Sequence, residues 1–218
     1  MSDVNDKPRR RYRSATRSEG ARRTRQAIIR TAAELFAEHG YAATSLAGIA
    51  QAAGVARPTV FAAFGSKAAL LKQVLDEALA GDDEPVPVAE RPWFRPVWEA
   101  TDPGGVLDAY AEVCLVIARR AAPLFEAVRR AADDAPEAAE LWSTLQANRR
   151  AGARMIVTQA RKLGPAAPGL AAETAVDIVW LYNDPPLYAA LVTRCGWSEE
   201  DYRRWLATTM RSALLPSG

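Results

Sequence analysis

The stretch RPTVFAAFGSK, residues 57 to 67, combines residue types that can read a nucleic acid. An arginine can donate two hydrogen bonds to guanine, and a threonine offers a methyl group and a hydroxyl to base edges. We therefore expect Arg57 and Thr59 to contact bases. The small residues Ala62 and Ala63 beside them would let the backbone come close to DNA.

Apolar spacing places this stretch within a group of helices. It predicts a first helix at about 22 to 39, a second that ends near Gly54, and a short third that begins at Arg57. Two short helices joined by a glycine turn form a helix-turn-helix, whose second helix can enter the major groove. We expect three apolar side chains to pin this helix to its neighbours: Val60, Phe61 and Phe64. A three-helix structural bundle without a ligand is the alternative.

Positive charge is concentrated at the start of the chain. The first 25 residues hold nine Lys or Arg and three acidic residues, a net charge of +6, whereas the remainder carries −4. We interpret residues 1–21 as a basic, disordered arm that seeks an anionic partner. A solvated tail that only keeps the protein in solution is the other interpretation.

Composition narrows the function classes. No apolar run approaches the ~20 residues that cross a bilayer, and the charged N-terminus does not resemble a secretory signal. The two cysteines, Cys114 and Cys195, suggest no disulfide framework, so we expect a cytoplasmic protein that does not bind membranes. A single histidine, His39, cannot complete a metal site, so neither a metal nor a cofactor is expected. The sequence shows neither a nucleophile paired with a base nor a glycine-rich phosphate loop, so it does not favour the third alternative, a helical enzyme.

The second part of the chain also has helical periodicity. Four prolines in 81–96 exclude a helix interior and mark a boundary. The sequence predicts an all-α protein with a helix-turn-helix domain over 22–80, a Pro-rich connection over 81–103, and a larger helical domain over 104–218. Further helices are expected near 104–121, 123–131, 137–163, 171–194 (broken at Asp184-Pro185-Pro186) and 198–215.

Residues 22 to 80 resemble the DNA-binding domain of the TetR family of transcriptional regulators. The resemblance rests on FAEHGY at the end of helix one, IAQAAGV at the turn, and FGSK at the start of helix four. It implies a homodimer on a palindromic operator and a larger helical domain that dimerises and often binds an inducer. It also implies phosphate contacts from Thr44 and Lys67. The expected DNA-binding residues are Thr44, Arg57, Pro58, Thr59, Phe61, Lys67, Arg22 and Arg23.

Two positions depart from the family pattern. Phe61 stands where Tyr is usual, and Ala63 stands where His or Tyr is common, so two expected phosphate contacts are missing. We expect the arginine-rich arm to replace them.

Asn148 and Asp177 are polar residues within apolar helical stripes of the larger domain. Burying such a group unpaired costs roughly 1–3 kcal/mol, so each needs a partner. An interhelical hydrogen bond or salt bridge is one explanation, and a pocket for a mostly apolar effector is the other. The candidate effector residues are Trp98, Tyr110, Cys114, Trp142, Asn148, Asp177 and Trp180.

The last two helices are amphipathic and, by the same resemblance, would form the dimer. The candidate dimer residues are Tyr188, Leu191, Val192, Leu206 and Met210. These expectations describe a repressor that a small effector releases from its operator. A constitutive DNA-binding or architectural protein is the alternative, which a fully packed apolar interior would favour and a cavity reaching Asn148 or Asp177 would disfavour.

Overall fold

The computed structural model describes residues 7–216, with side chains from residue 19 onwards. Within these residues helices are the only regular secondary structure, so the predicted all-α class is confirmed. The chain divides into two compact units, Met1–Val74 and Leu75–Gly218. The division falls inside a helix and not in the Pro-rich connection.

The first unit contains helices α1 (Lys7–Ala43), α2 (Leu46–Ala52), α3 (Arg57–Phe64) and the start of α4 (Lys67–Ala80). Helix α1 begins well before the predicted start near residue 22. Residues 7–21 of the predicted disordered arm are therefore helical, and residues 1–6 lie outside the described part. Arg, Lys, Glu and Ala in this segment have high helix propensity, and a proline is tolerated in a first turn. Gly40, at φ 76°, interrupts the helix where the sequence predicted its end.

Apolar side chains from all four helices fill the core of the first unit. Ile28, Phe36, Ile49, Val60 and Leu70 are completely buried. Gly54 and Gly65 have φ values of 68° and 75°, which favour glycine, and they form the turns before and after α3.

The connection after α4 is folded around a buried arginine. It comprises 3₁₀ turns at Val88–Glu90 and Pro92–Phe94 and the short helix α5 (Arg95–Glu99). Arg91, only 4% exposed, lies 2.7 Å from both carboxylate oxygens of Asp82. It also donates to the carbonyls of Glu84 and Val86, at 2.8 and 3.0 Å. These bonds join Asp82, Glu84 and Val86 to one guanidinium.

The second unit continues with α6 (Pro103–Ala131), α7 (Pro136–Leu163), α8 (Ala172–Tyr182), α9 (Pro185–Tyr188), a π-helical turn (Ala189–Arg194) and α10 (Glu199–Leu214). Helix α6 passes through Pro123, so the two helices predicted at 104–131 are one. The predicted break at Asp184 is present. Ser198 caps α10 by accepting from the Asp201 amide at 3.1 Å.

The packed core of this unit is formed by one face each of α6, α7, α8 and α10. Its completely buried members include Leu107, Ile156, Val179, Leu206 and Met210. Among the described residues, no helix is both long enough and apolar enough to cross a bilayer.

We predict that Arg91→Met destabilises the second unit by at least about 2 kcal/mol, because several hydrogen bonds to a buried cation are lost together. Arg95→Met is the control: Arg95 is exposed and no contact of its side chain is described, so its effect should be within about 0.5 kcal/mol. Denaturant unfolding at pH 7 measures both. Equal stabilities of the two variants would contradict the role of Arg91.

The same pair gives a pH dependence. The hydrogen bond from Arg91, followed by that from the Glu84 amide, holds the pKa of Asp82 below its ordinary value of 3.8. A lowered carboxyl pKa contributes stability above that value, which is lost as the pH falls through the folded-state pKa. The difference between wild type and Arg91→Met should therefore shrink below pH 4.

Candidate nucleic-acid interface

Helix α3 is held to its unit by a single fully buried side chain. Val60 is completely buried and Phe64 is half-buried. The expectation that Phe61 also pins the helix is wrong, because its side chain is 65% exposed. Adjacent residues of a helix lie about 100° apart, so a helix anchored at Val60 turns position 61 away from the core.

The outward face of α3 carries the predicted base-reading residues. Arg57, Pro58 and Thr59 are exposed in its first turn, and Ala62 and Ala63 are exposed beside Phe61. No partner of the Arg57 or Thr59 side chain is described, so both can donate to a ligand. A cationic fork, a hydroxyl, small side chains and one aromatic ring together form a surface that fits base edges in a major groove about 12 Å wide.

Arg25 fastens the far end of α3 to α1. Its guanidinium lies 4.4 Å from the centre of the Phe64 ring, and its Nη1 donates to the Ala63 carbonyl at 3.0 Å. Sequence analysis counted Arg25 only as part of the arm. The contact spans 38 residues, so local spacing gave no signal for it.

Thr44, which the resemblance places at a phosphate, is buried, and its neighbour Ser45 is exposed. Thr44 is 5% exposed, and its hydroxyl donates to the Gly40 carbonyl at 2.7 Å. This placement argues against the predicted side-chain contact of Thr44 with a phosphate. Ser45 is exposed and caps α2 by accepting from the Gly48 amide at 3.0 Å. Ser45 is therefore the hydroxyl at the surface of this helix start.

Lys67 begins α4, but its side chain turns back to the end of α1. Its Nζ donates to the Tyr41 carbonyl at 2.8 Å and lies 4.0 Å from the centre of the Tyr41 ring. The charge still adds to the positive potential at the start of α4, where the helix dipole has the same sign. Arg22 and Arg23, also predicted at the interface, are both exposed on α1.

Comparisons with known proteins agree with this geometry. Residues 28–74 match the family model "Bacterial regulatory proteins, tetR family", and these residues include α2, α3 and the anchors of both. Residues 28–74 therefore form a DNA-binding domain of the TetR type. A 52-residue segment is 46% identical to the HTH-type transcriptional repressor ComR of Escherichia coli K12 and covers 24% of this chain and 25% of ComR.

Solved structures of transcriptional regulators share the fold of the chain over most of its length. One is a transcriptional regulator from Saccharomonospora viridis in complex with choline, with a TM-score of 0.66, 18% identity, and coverage of 87% of this chain and 96% of that one. Another is NalD, the secondary repressor of the MexAB-OprM efflux pump in Pseudomonas aeruginosa. Its TM-score is 0.65 at 20% identity, with 90% and 98% of the two chains covered.

In the second unit, the predicted effector residues do not converge on one cavity. Asn148 and Asp177, expected inside, are both exposed, and Asp177 forms an ion pair with Arg150. The buried face of α7 instead contains Leu145, Ala153 and Ile156. These residues are eight and three positions apart, and the predicted position Asn148 does not lie on their face. A surface depression lined by Pro103, Val157 and Ala160 contains none of the predicted effector residues.

Two of the predicted effector tryptophans have structural partners. Trp98 donates to the Ala89 carbonyl at 2.7 Å and stacks on Phe94, with ring centres 5.2 Å apart. Trp142 makes an edge contact with Phe125 at 6.3 Å. These contacts explain both residues without a ligand.

The polar interior lies around Arg149, which sequence analysis missed. Its guanidinium is 11% exposed and donates to Asn183 Oδ1 at 3.1 Å and to the Trp180 carbonyl at 2.7 Å. Asn183 Nδ2 donates in turn to the Tyr110 hydroxyl at 2.9 Å. We call Arg149, Asn183, Tyr110, Trp180 and Asp184 the Arg149 cluster. The break at Asn183-Asp184-Pro185 in an apolar helix was its signal in the sequence.

Burial controls the ionisation of this cluster. Asp184 Oδ1 lies 2.8 Å from Arg149 Nη1, although without a hydrogen-bonding angle, and burial raises the pKa of the carboxyl. Burial also raises the pKa of the neighbouring Cys114 thiol to about 12, so the thiol is neutral. Trp180 Nε1 is buried without a described hydrogen-bond partner.

The predicted dimer residues fall into two groups. Leu206 and Met210 are completely buried in the core of their own protomer, so their assignment to a dimer surface is wrong. Their stripe on α10 packs inward, where helix α6 covers it. Tyr188, Leu191 and Val192 are half-buried, and the Tyr188 hydroxyl donates to Glu199 at 2.7 Å.

The two hydroxyl residues before α2 provide a direct test. Thr44→Val should lower stability by about 1–3 kcal/mol, because it leaves the Gly40 carbonyl without its partner. Ser45→Ala should cost about 1 kcal/mol through loss of the cap. Denaturant unfolding measures both effects, and DNA binding at two salt concentrations gives the phosphate contribution. Normal stability of Thr44→Val together with weaker, less salt-dependent DNA binding would contradict the structural role of Thr44.

Proposed function

We propose that the protein is a homodimeric transcriptional repressor that binds a palindromic operator through α3. The exposed face of α3, with Arg57, Thr59 and Phe61 turned outward from the Val60 anchor, is the observation that carries the proposal. The arginine would pair with guanine, and the aromatic ring and the threonine methyl would pack against thymine methyl groups. The repressor role is supported by the segment shared with ComR.

Dimerisation is proposed through the outer surfaces of α8 and α10. Leu181 is 58% exposed on α8, and Trp197 is 37% exposed just before α10. Tyr182, the next residue after Leu181, makes an edge-to-face contact with Trp205, with ring centres 5.8 Å apart. Trp205 makes a second such contact with Trp197, with ring centres 6.1 Å apart. These four residues form an apolar patch, which we call the aromatic patch. Exposed apolar surface of this kind is typical of homodimer interfaces.

For regulation, we propose that a small, mostly apolar effector enters the second unit at the Arg149 cluster, not at Asn148 and Asp177. Trp180 Nε1 offers an unused donor there, and the indole packs against the apolar core that α6 and α8 help to form. An effector with one polar group could accept that hydrogen bond. Displacing the Arg149 contacts at the end of α8 would then couple binding to the break between α8 and α9.

Constitutive DNA binding is the second candidate, because the interior is closely packed around Tyr110 and Cys114, both less than 8% exposed. A small-molecule screen on the operator complex separates the two. Release of the operator by an apolar compound, lost in Asn183→Leu, supports effector control. Retention of the operator across the screen favours the constitutive protein. The match of residues 28–74 to the tetR family model favours a regulator over the helical enzyme.

The base-reading residues have a quantitative test. Arg57→Ala should cost about 1–3 kcal/mol of binding and relax preference at one operator position, and Thr59→Ala should do so at another. Arg30→Ala is the control, because Arg30 is exposed on α1 on the face away from the buried Ile28. Titration against operators with single base-pair changes gives the measurement. Equal losses on every sequence would show that Arg57 holds a phosphate and does not read a base.

Introducing a charged residue tests whether the aromatic patch is the dimer interface. Leu181→Glu should shift the protein from dimer to monomer, because it places a carboxylate in a desolvated apolar interface. Met155→Glu is matched to it, since Met155 is also an exposed apolar residue, 36% accessible, but lies on α7. Sedimentation velocity measures both variants. A dimeric Leu181→Glu, or a monomeric Met155→Glu, would place the interface elsewhere.

A further inference from the structure

The second half of α3 presents a face without hydrogen-bonding side chains. Arg57 and Thr59 lie in the first turn, and the exposed residues of the second half are Phe61, Ala62 and Ala63. None of these three side chains has a donor or an acceptor. Arg57 is also the only charged residue of the helix. Any contact that the second half of α3 makes with a base through its side chains is therefore apolar.

Phe61 provides most of the apolar surface of this face. Its side chain is 65% exposed, and among the side chains described in the first unit no other large apolar residue is exposed. Covering the ring removes apolar surface from water, which stabilises the complex that covers it. The exposed ring thus favours a ligand with an apolar group of its own.

The backbone beneath the ring is held in place. Val60, next to Phe61, is completely buried, and the Phe61 carbonyl accepts from the Gly65 amide at 2.8 Å. Arg25 fixes the following residues by donating to the Ala63 carbonyl at 3.0 Å. Phe61 therefore projects from a preformed helix, which does not have to become ordered when the ring is covered.

The major groove offers one apolar group to such a surface. Each base pair displays hydrogen-bonding groups there, and thymine adds the methyl group on its C5 carbon. Cytosine lacks that methyl group, whereas 5-methylcytosine carries it at the same position. Phe61 follows Arg57 by four residues, about 6 Å along the helix axis or about two base pairs of duplex. The methyl group should therefore lie within about two base pairs of the guanine that Arg57 would contact.

We propose that Phe61 recognises the C5 methyl group of a pyrimidine, so that methylation of cytosine at that operator position strengthens binding. The inference rests on the proposed operator-binding function and adds to it a dependence on base modification. The apolar face of α3 accepts thymine and 5-methylcytosine alike, because its side chains form no hydrogen bond with the C4 substituents that distinguish these bases. It disfavours uracil and unmethylated cytosine, which leave the ring without an apolar partner.

The methyl group can be removed from the DNA without any other change. The full-length protein is titrated against an operator selected from random duplexes, in which each thymine is replaced in turn by uracil. Phe61→Ala should abolish the effect of uracil at one thymine, which identifies the position that Phe61 reads. Two further duplexes carry cytosine or 5-methylcytosine at that position, paired with guanine. Random duplex pools made with either cytosine are titrated in parallel.

Three variants assign the effect to a side chain. Phe61→Ala removes the ring, and Phe61→Leu replaces it with another apolar side chain. Thr59→Ser is the matched control, because Thr59 is exposed on the same helix and the change removes its methyl group but retains its hydroxyl. Both positions are exposed, so all three variants should have nearly the stability of wild type, which denaturant unfolding checks.

The expected effect follows from the size of a methyl group. Burying one such group changes an equilibrium constant about fourfold, or about 15-fold when both half-sites of an operator carry it. Wild type should show this factor equally at about 50 and 200 mM salt, because an apolar contact releases no counterions. Phe61→Ala should not distinguish 5-methylcytosine from cytosine at the identified position. Phe61→Leu and Thr59→Ser should retain most of the discrimination there.

The outcomes keep this inference distinct from the proposed function. If wild type selects an operator but uracil has no effect, or Phe61→Ala keeps every methyl effect of wild type, Phe61 does not read a methyl group and the operator-binding function stands. Equal binding of wild type to cytosine and 5-methylcytosine at the identified position also overturns the inference.

If no operator is selected, the random pools decide. Tighter binding of wild type to the 5-methylated pool, lost in Phe61→Ala, supports the methyl contact while the repressor function fails. Equal binding of wild type to both pools overturns the methyl contact as well.

Discussion

The surface that α3 presents depends on one constraint, the burial of Val60 in a helix of eight residues. Because this side chain is completely buried and its neighbour Phe61 is 65% exposed, the orientation of α3 about its own axis is fixed. Glycine turns at Gly54 and Gly65 allow so short a helix to begin and end abruptly. Arg25 fastens its far end. Affinity for DNA is thus built on packing that presents a preformed surface, with little ordering left for the moment of binding.

Buried arginines organise the second unit in a comparable way. In the proline-rich connection, the Arg91 guanidinium donates a hydrogen bond to the Glu84 carbonyl. At the end of α8, the Arg149 guanidinium donates to the Trp180 carbonyl. A buried guanidinium needs several acceptors at once, so each fixes backbone carbonyls that no regular helix satisfies. The Arg149 cluster therefore combines a structural duty with an unused indole donor at Trp180. That combination suits a site whose occupation changes the conformation of the chain around it.

Most of the fold could be predicted from the sequence because glycine, proline and apolar spacing act locally. The ends of α1, α2 and α3 followed those signals, and the exposure of Arg57 and Thr59 followed from the helix-turn-helix pattern. The failures involve choices between adjacent positions. The prediction placed Asn148 in the interior, but the buried side chain is that of its neighbour Arg149. It placed Leu206 at the surface, although this residue is completely buried. Periodicity identifies a stripe but not which neighbouring helix covers it, since that depends on contacts distant in sequence.

The central claim is that two copies of α3 read one palindrome, and selection from random DNA tests it most directly. The full-length protein is incubated with a pool of random duplexes, and bound sequences are recovered over several rounds in physiological salt. The account predicts an inverted repeat whose half-sites lie about 10 base pairs apart or a multiple of it, the spacing of successive major grooves on one side of the duplex. Recovery of sequences without any inverted repeat would contradict it.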